Sequence, residues 1–584
     1  MSLNRYFQDE LQALREQGRE FSERNPALAP FLGHEGRDPD VERLLEGFAF
    51  LTGRLRQRLD DELPELSHSL LQLLWPNYLQ PIPAMTMLEF DPLSDIVSGQ
   101  QVPRHTEVES RARHGVSCRF RTCYDTQLYP LRHERLEFAP AGEGGVLTLH
   151  LQLEPHADLP GMELDRLRLH LAGDRLVSSA LYLSLLQYLE QAEVRLFDEQ
   201  DQLLHQYPLG KQCITPVGFD PDQALLPYSL NTFSGYRHLQ EYFCFPEKLM
   251  FVEVSGLEIT RRNTASHQAC RRLELRLNLS KLPLARFTPH RDQIRLYCTP
   301  AINLFGHDAV PIRLDHRQTQ YRLLPAALPP QYSSVVSVES VHGWQTGGRN
   351  HRQYTPFESF EHSDYTDTPY YNVHRRPGLE ARKLDTYLGF HQPGREFRTE
   401  TISIELLCCN QDLPSELATG DICMPTDSTP EFARFRDIRP ATLCYPPPMR
   451  RDTLWRVISN MSLNYISLTN IDALRVVLET YDFCAAFDEA AARRTRHMLA
   501  GIKAITHQRT DRLWQGLPIR GIHTELTLSS DHFAGAGELY LFGSVLNEFF
   551  ALYASINAFH ELSINTTDGA RFTWTPRMGQ QPIL

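Results

Sequence analysis

The stretch Asp38–Pro83, DPDVERLLEGFAFLTGRLRQRLDDELPELSHSLLQLLWPNYLQPIP, decides how the chain is read. Asp38 can cap a helix, and Pro39 suits a first helical position, where its missing N–H costs nothing. Val41, Leu44, Leu45, Phe48, Leu51, Leu55 and Leu59 then recur at steps of three and four, which draws one apolar stripe along a helix. Glu42, Arg43, Arg54, Arg56, Gln57 and Arg58 occupy the opposite side. Leu63-Pro64 predicts a break or kink, because a proline ring clashes with the preceding turn. Leu66, Leu70, Leu71, Leu73 and Leu74 form a second helical run, which Pro76 closes after Trp75.

Two readings of that stripe stand side by side. Leucines at helical spacing commonly make core. The sharper reading is a bundle shared with another chain through Leu44, Phe48, Leu51, Leu55 and Leu59. Upstream there is one further helical pattern, Leu3, Tyr6, Phe7, Leu11, Leu14 and Phe21. Two or three helices make a thin bundle, so a partner or second copy would complete it.

Working outward, 584 residues imply several domains, and a charged fraction of 22% with 41% apolar residues is that of a folded globular chain. Net charge is −13, from 59 basic against 72 acidic residues, the wrong sign for a general polyanion binder. No apolar run reaches transmembrane length, and the N-terminus lacks the apolar segment of a secretory signal. The 11 cysteines are scattered without Cys-x-x-Cys and read as small buried apolar residues in the reducing cytoplasm.

After Pro83 the pattern becomes β-rich. Val146–Leu153 alternates, with Leu147, Leu149, Leu151 and Leu153 on one face, and Leu167, Leu169 and Leu171 repeat this. Val177–Glu190 reads as a helix, followed by strands Ala192–Phe197 and Leu203–Pro208. Near the C-terminus Gly521–Leu528 and Glu538–Phe542 read as strands, Ser544–Ile556 as a helix, and Phe559–Asn565 with Arg571–Thr575 as a hairpin around Asp568-Gly569. The two orders match, so 146–208 and 520–576 are candidate copies of one module. Between them Arg271–Leu279, Gln293–Cys298, Tyr332–Val341 and Thr401–Cys409 are strands, and His342–Asp367 is an expected exposed loop. Asp452–Asn460 and Ile471–Tyr481 read as helices. The expected class is multidomain α+β: a helical partner-binding region at 1–83, a first β-rich αβ domain at 84–245, a middle β-rich domain at 246–400 and a C-terminal αβ domain at 401–584.

Catalytic patterns fail on inspection. His560-Glu561-Leu562-Ser563 starts like His-Glu-x-x-His, but the fifth residue is Ile564 and the segment reads as a strand. Gly535-Ala536-Gly537 leads into an expected strand and lacks the strand–turn–helix setting of a dinucleotide fingerprint. Neither a Gly-x-Ser-x-Gly elbow nor a Walker lysine motif is present. The acidic cluster Asp60, Asp61, Glu62 and Glu65 reads as a solvated face or inter-chain salt bridges. No enzyme activity, metal or cofactor is expected. Tyr236, Tyr242, Phe243 and Phe245 read as core in preference to a partner anchor. Tyr370, Tyr371, His374, Arg375 and Arg376 mix aromatics with arginines, a composition that suits a contact surface; Tyr371, Arg375 and Arg376 are the candidates there.

The segments ELQALREQGREFSERNPALAPFLG, from Glu10 to Gly33, and Asp38–Pro83 resemble the TssF (VasA/ImpG) family, baseplate components of the bacterial type VI secretion system. The resemblance continues through Phe233-Ser234-Gly235-Tyr236 to Lys248, Thr299–Phe305, Tyr371–Gly378, Cys409–Pro414, Leu454–Ser459 with Ser462–Tyr465, and Trp574–Gly579. His342–Asp367 matches least. The resemblance implies a structural wedge subunit assembling with TssG in a two-to-one ratio, with a second copy of itself in the wedge. It further implies association with TssK and TssE around the VgrG spike, priming of the sheath and tube, and docking on the membrane complex from the cytoplasmic side. A phage-tail-like or extracellular contractile injection baseplate subunit is the alternative in the same class. A carbohydrate-processing or nucleotide enzyme is the more distant one.

Overall fold

The computed structural model describes Phe7, Leu11, Gln12, Leu14 and residues 39–228, 235–262, 264–284, 286–345, 351–357, 369–378, 382–391, 399–449, 454, 456–458, 470–514, 517–555 and 558–579. The chain divides into two units, residues 1–76 with 449–458, and residues 77–448 with 459–584.

In the first unit, Pro39–Leu74 is one 36-residue helix, α1. The expected break at Pro64 does not occur. An interior proline costs about 3 kcal/mol, and the long helical runs on both sides carry the helix across it. Phe7, Leu11 and Leu14 are helical, while Leu3, Tyr6 and Phe21 of the same pattern lie outside the described residues. Leu454 and 456–458 are also helical, with Leu454 and Val457 buried.

The second unit is a set of mainly antiparallel sheets. The first runs Ile422–Pro425, Glu107–Ser110, Arg119–Thr122, Cys298–Ile302, Met85–Pro92, Ala433–Asp437, so it draws strands from all three of the segments 84–245, 246–400 and 401–584. Its two ends meet through the buried Asp437 carboxylate, which accepts Gly420 N at 2.9 Å and Ile422 N at 2.8 Å. A second sheet runs Leu203–Leu209, Leu189–Phe197, Arg272–Leu279, Gly144–Leu153, Leu131–Ala141. The alternation seen in sequence is realised there. Leu147, Leu149 and Leu151 are buried with Leu275, Leu277 and Val194, and the other face carries His150 at 3.2 Å from Glu137 and 3.0 Å from Glu274. A third sheet, Ile214–Val217, Phe251–Val254, Leu167–Leu171, Ile294–Leu296, lies between chain segments of the first two.

The middle region packs two sheets around Leu314, Val341, Leu388, Ile402, Ile404 and Leu406. Glu400–Cys409 pairs with Ser334–Gln345, which pairs in turn with His351–Gln353. The expected loop His342–Asp367 is therefore strand in its first part. Tyr354 is buried there and donates its hydroxyl to Glu400 at 2.9 Å; residues 346–350 and 358–368 lie outside the described ones.

Arg175–Gln187 forms α2, Gly235–Cys244 α3, Ile471–Thr480 α4, Glu489–Ala500 α5 and Ala536–Tyr553 α6. Glu538–Phe542, expected as strand, is the start of α6. Its five-residue alternation could not be told from the edge of a helix that is apolar on all sides because it is buried on all sides. In the C-terminal sheet Leu517–Leu528 and Ala558–Thr566 are parallel neighbours on either side of α6. The strands flanking α2, Leu167–Leu171 and Leu189–Phe197, lie in different sheets. The segments 146–208 and 520–576 are therefore not copies. Instead their helices pack on each other. A Cβ on Gly537 would come within 2.3 Å of the Ser179 backbone, so only glycine permits this approach. Arg175–Glu538 at 2.6 Å and Gln187–Tyr540 at 2.9 Å close the helix pair at two levels.

Candidate partner-binding site

On α1, Leu44 is 73% exposed, Phe48 56% and Leu51 59%. One position on, Ala49 is fully buried, and Leu45 and Thr52 are half-buried. The broad stripe of the sequence is thus two lines. Leu45, Ala49 and Thr52 face inward, and Leu44, Phe48 and Leu51, at i, i+4 and i+7, form an outward apolar line. Phe50 is also 43% exposed. Leu55 and Leu59 continue the helix, and their side chains lie outside the described residues.

The second candidate surface is only partly a surface. Tyr370–Pro377 is a strand, so successive side chains alternate faces. Tyr371 falls in the core of the middle region. Arg375 points the same way and is 7% exposed, donating Nη1 to Leu79 O and Nη2 to Val336 O. Burial lowers its pKa to about 10. Both are therefore internal, a correction to the expected contact role, because the period of two splits a stretch that looked like one patch. Arg376 remains exposed, 2.9 Å from Gln320 and stacked 5.4 Å over the Tyr387 ring. Tyr236, Tyr242 and Phe245 are buried, as core.

Among the described residues, Ser563, His523 and Glu561 have the atom order of a Ser–His–acid relay. Ser563 Oγ lies 2.9 Å from His523 Nε2, and His523 Nδ1 lies 3.5 Å from Glu561. A strand register unreadable from one sequence brings these residues together. Ser563 has no exposed surface, so its hydroxyl cannot reach a substrate carbonyl, and Arg512 holds Glu561 at 2.6 Å. The grouping is a polar brace on a sheet face. His560 lies in a strand, as its sequence suggested, and is buried, which lowers its pKa to about 3. Gly535-Ala536-Gly537 does open a helix between parallel strands, contrary to expectation. Glu538, however, occupies that helix start, accepting Ala534 N at 2.6 Å and pairing with Arg175. Among the described residues no cluster of His, Cys, Asp or Glu suits a metal, and no helix is long and apolar enough to cross a membrane. Ten cysteines are buried and Cys423 is half-buried.

Two polar clefts, of about 370 and 600 Å³, are lined by charged side chains, several of them paired with one another. Arg168 and Arg166 meet Glu253 in the first, and Arg295 grips Glu89 with 2.8 and 2.9 Å contacts in the second. The outward line Leu44, Phe48 and Leu51 on α1 is the candidate surface for a protein partner.

A family profile described as Type VI secretion system, TssF, matches residues 1–581. The chain is 30% identical to the type VI secretion system component TssF1 of Pseudomonas aeruginosa over 99% of each chain. This chain belongs to the TssF family. The TssF-family fold recurs in a TssK–TssF–TssG baseplate subcomplex solved by cryo-electron microscopy, at 31% identity and TM-score 0.73, covering 92% of this chain and 99% of that one. It recurs again in a baseplate complex from the type VI secretion system, at 27% identity and TM-score 0.62, covering 100% of both chains. The mixed α and β architecture with several sheets agrees with the expected class.

Proposed function

We propose that this chain is a structural subunit of a type VI secretion baseplate that binds TssG through α1 and shares a complex with TssK. The observation that carries this is the outward line Leu44, Phe48 and Leu51. Burying what remains exposed of three such side chains is worth roughly 3–6 kcal/mol before association costs. A helix face of that kind is the usual donor to a shared bundle. Residues 1–83 are accordingly the partner-binding region, and the β-rich remainder, cut for dissection at 245/246 and 400/401, is the scaffold. The related solved subcomplex supports TssK and TssG as the partners.

The wider reading rests on the family. Two copies join one TssG in a wedge, TssE joins them, and wedges surround the VgrG spike. The platform then starts the sheath and tube and docks on the membrane complex from the cytoplasm. Arg376, exposed on the middle sheet, is a secondary candidate contact. Co-expression with the cognate TssG and TssK tests the core of this proposal. All three are expected to elute together from an affinity step on any one of them. Elution of this chain alone would contradict the assignment.

A further inference from the structure

The strand Ile502–Trp514 is the edge of the C-terminal sheet. Its inner side pairs with Leu517–Leu528, and among the described residues no strand pairs with its outer side. A bulge near Ile502 disturbs one end, and from Ala504 to Trp514 the register runs without a shift. Thr506, Gln508, Arg509, Asp511, Arg512 and Leu513 are exposed along it, Leu513 at 78%. A long edge in regular register, with no described strand on its outer side, is a template for another strand, and proteins normally blunt such edges.

We propose that this edge pairs antiparallel with the same edge of a second copy of the chain, about a two-fold axis at Thr510. With the axis perpendicular to the sheet, the residue n places beyond Thr510 meets the residue n places before it in the other copy, on the same face. Arg509 then meets Asp511 of the other copy, twice over, and Gln508 meets Arg512. Moving the axis one residue either way sets Arg509 or Asp511 against its own copy. The charge order Arg-Thr-Asp at 509–511 is therefore self-complementary in one register only. Within the chain, Asp511 has a 4.0 Å contact to Arg520 in which both side chains stay largely exposed, at 74% and 94%, so the pairing gives up little. The result is one continuous sheet with both α6 helices on the same side. The strand belongs to a different unit of the chain from α1, and its test uses this chain alone, so it stands or falls independently of TssG binding.

Cysteine cross-linking of the full-length chain alone tests it. In the proposed register Thr510 faces itself across the axis at about 4.5–5.5 Å between Cα atoms, within disulfide range. Gln508 lies about 13 Å from its own copy, four residues along a strand. Under mild copper-phenanthroline oxidation Thr510→Cys is expected to yield covalent dimer several-fold above Gln508→Cys and above the unsubstituted chain. Adding Asp511→Arg should cut that yield several-fold, and adding Arg509→Asp to that variant should restore it. Circular dichroism of each variant establishes that it is folded. Equal cross-linking at 508 and 510, or no restoration by the charge swap, overturns the proposal.

Discussion

Asn303 and Asn410 hold each other by two hydrogen bonds, Asn303 Nδ2 to Asn410 Oδ1 at 2.8 Å and Asn410 N to Asn303 Oδ1 at 2.6 Å. Both are buried. Asn303 also donates to Arg119 O at 2.6 Å, and Asn410 accepts Arg119 N at 3.2 Å. Asn303 follows the first-sheet strand Cys298–Ile302, and Asn410 follows the middle strand Glu400–Cys409, so this pair ties two sheets at a corner. Replacing Asn303 by Leu strands Asn410 and the Arg119 carbonyl, at a cost of about 2–4 kcal/mol. In chemical denaturation the Asn303→Leu/Asn410→Leu double variant should lose less than the sum of the single losses, because the two act as one unit.

Glu241 and Lys248 form a fully buried ion pair. Glu241 also accepts Leu225 N at 2.8 Å and Leu226 N at 3.0 Å, and Lys248 donates to Gln223 O at 3.0 Å. Burial lowers the lysine pKa while the carboxylate opposes that shift. Lys248→Met leaves the buried Glu241 carboxylate with only the longer 3.8 Å contact to Arg237 and should cost about 3–5 kcal/mol in urea unfolding. Adding Glu241→Leu should not recover this, because it takes the carboxylate from Arg237, itself buried 3.8 Å away, and leaves Leu225 N and Leu226 N without their acceptor.

At the contact of α2 and α6, Gly537→Val places its Cβ where the Ser179 backbone sits, 2.3 Å away. The helices must separate, and overpacking of this kind costs about 1–3 kcal/mol or more. Thermal denaturation should show a lowered midpoint, larger than for Gly569→Ala on the open C-terminal hairpin turn.

His170 and His560 have pKa values lowered to about 3 by burial, and His238 is lowered well below the usual range for the same reason. In the unfolded chain each takes up a proton near pH 6.5. As pH falls below 6.5 the unfolded state binds more protons, so stability falls. The loss approaches about 1.4 kcal/mol per pH unit for each, or roughly 4 together. Glu548, pushed up to about 7 by burial, acts in the opposite sense, losing its contribution as pH rises from about 4.5 through 7. Three groups outweigh one, so the thermal midpoint should drop steadily between pH 6.5 and 5. A flat profile would show that these histidines are not held neutral by the fold.

The sequence was readable where a face repeats over many residues. The helical stripe from Val41 to Leu59, the leucine strand read at 146–153 and the helix read at 177–190, which ends at Gln187, were all legible as elements. It failed where period and neighbour conflict. Pro64 reads as a break or kink and the helix runs through it unbroken, Glu538–Phe542 reads as a strand and is helix, and Tyr371 and Arg375 read as surface and are internal. None of the cross-chain relationships, Asn303 with Asn410, Ser563 with His523, or Gly537 with Ser179, was legible, because each depends on strand register or helix placement. For the candidate site, the sequence supplied the residues Leu44, Phe48 and Leu51, and the structure supplied the division between the inward line and the outward one.

The central claim is that the outward line of α1 joins this chain to TssG, and co-purification of the Phe48→Asp/Leu51→Asp variant with TssG tests it most directly. Both side chains are exposed, so the β-rich unit should keep its circular dichroism and thermal midpoint. TssG recovery should fall at least tenfold against the unsubstituted chain. Undiminished recovery of TssG with a folded variant would contradict the account.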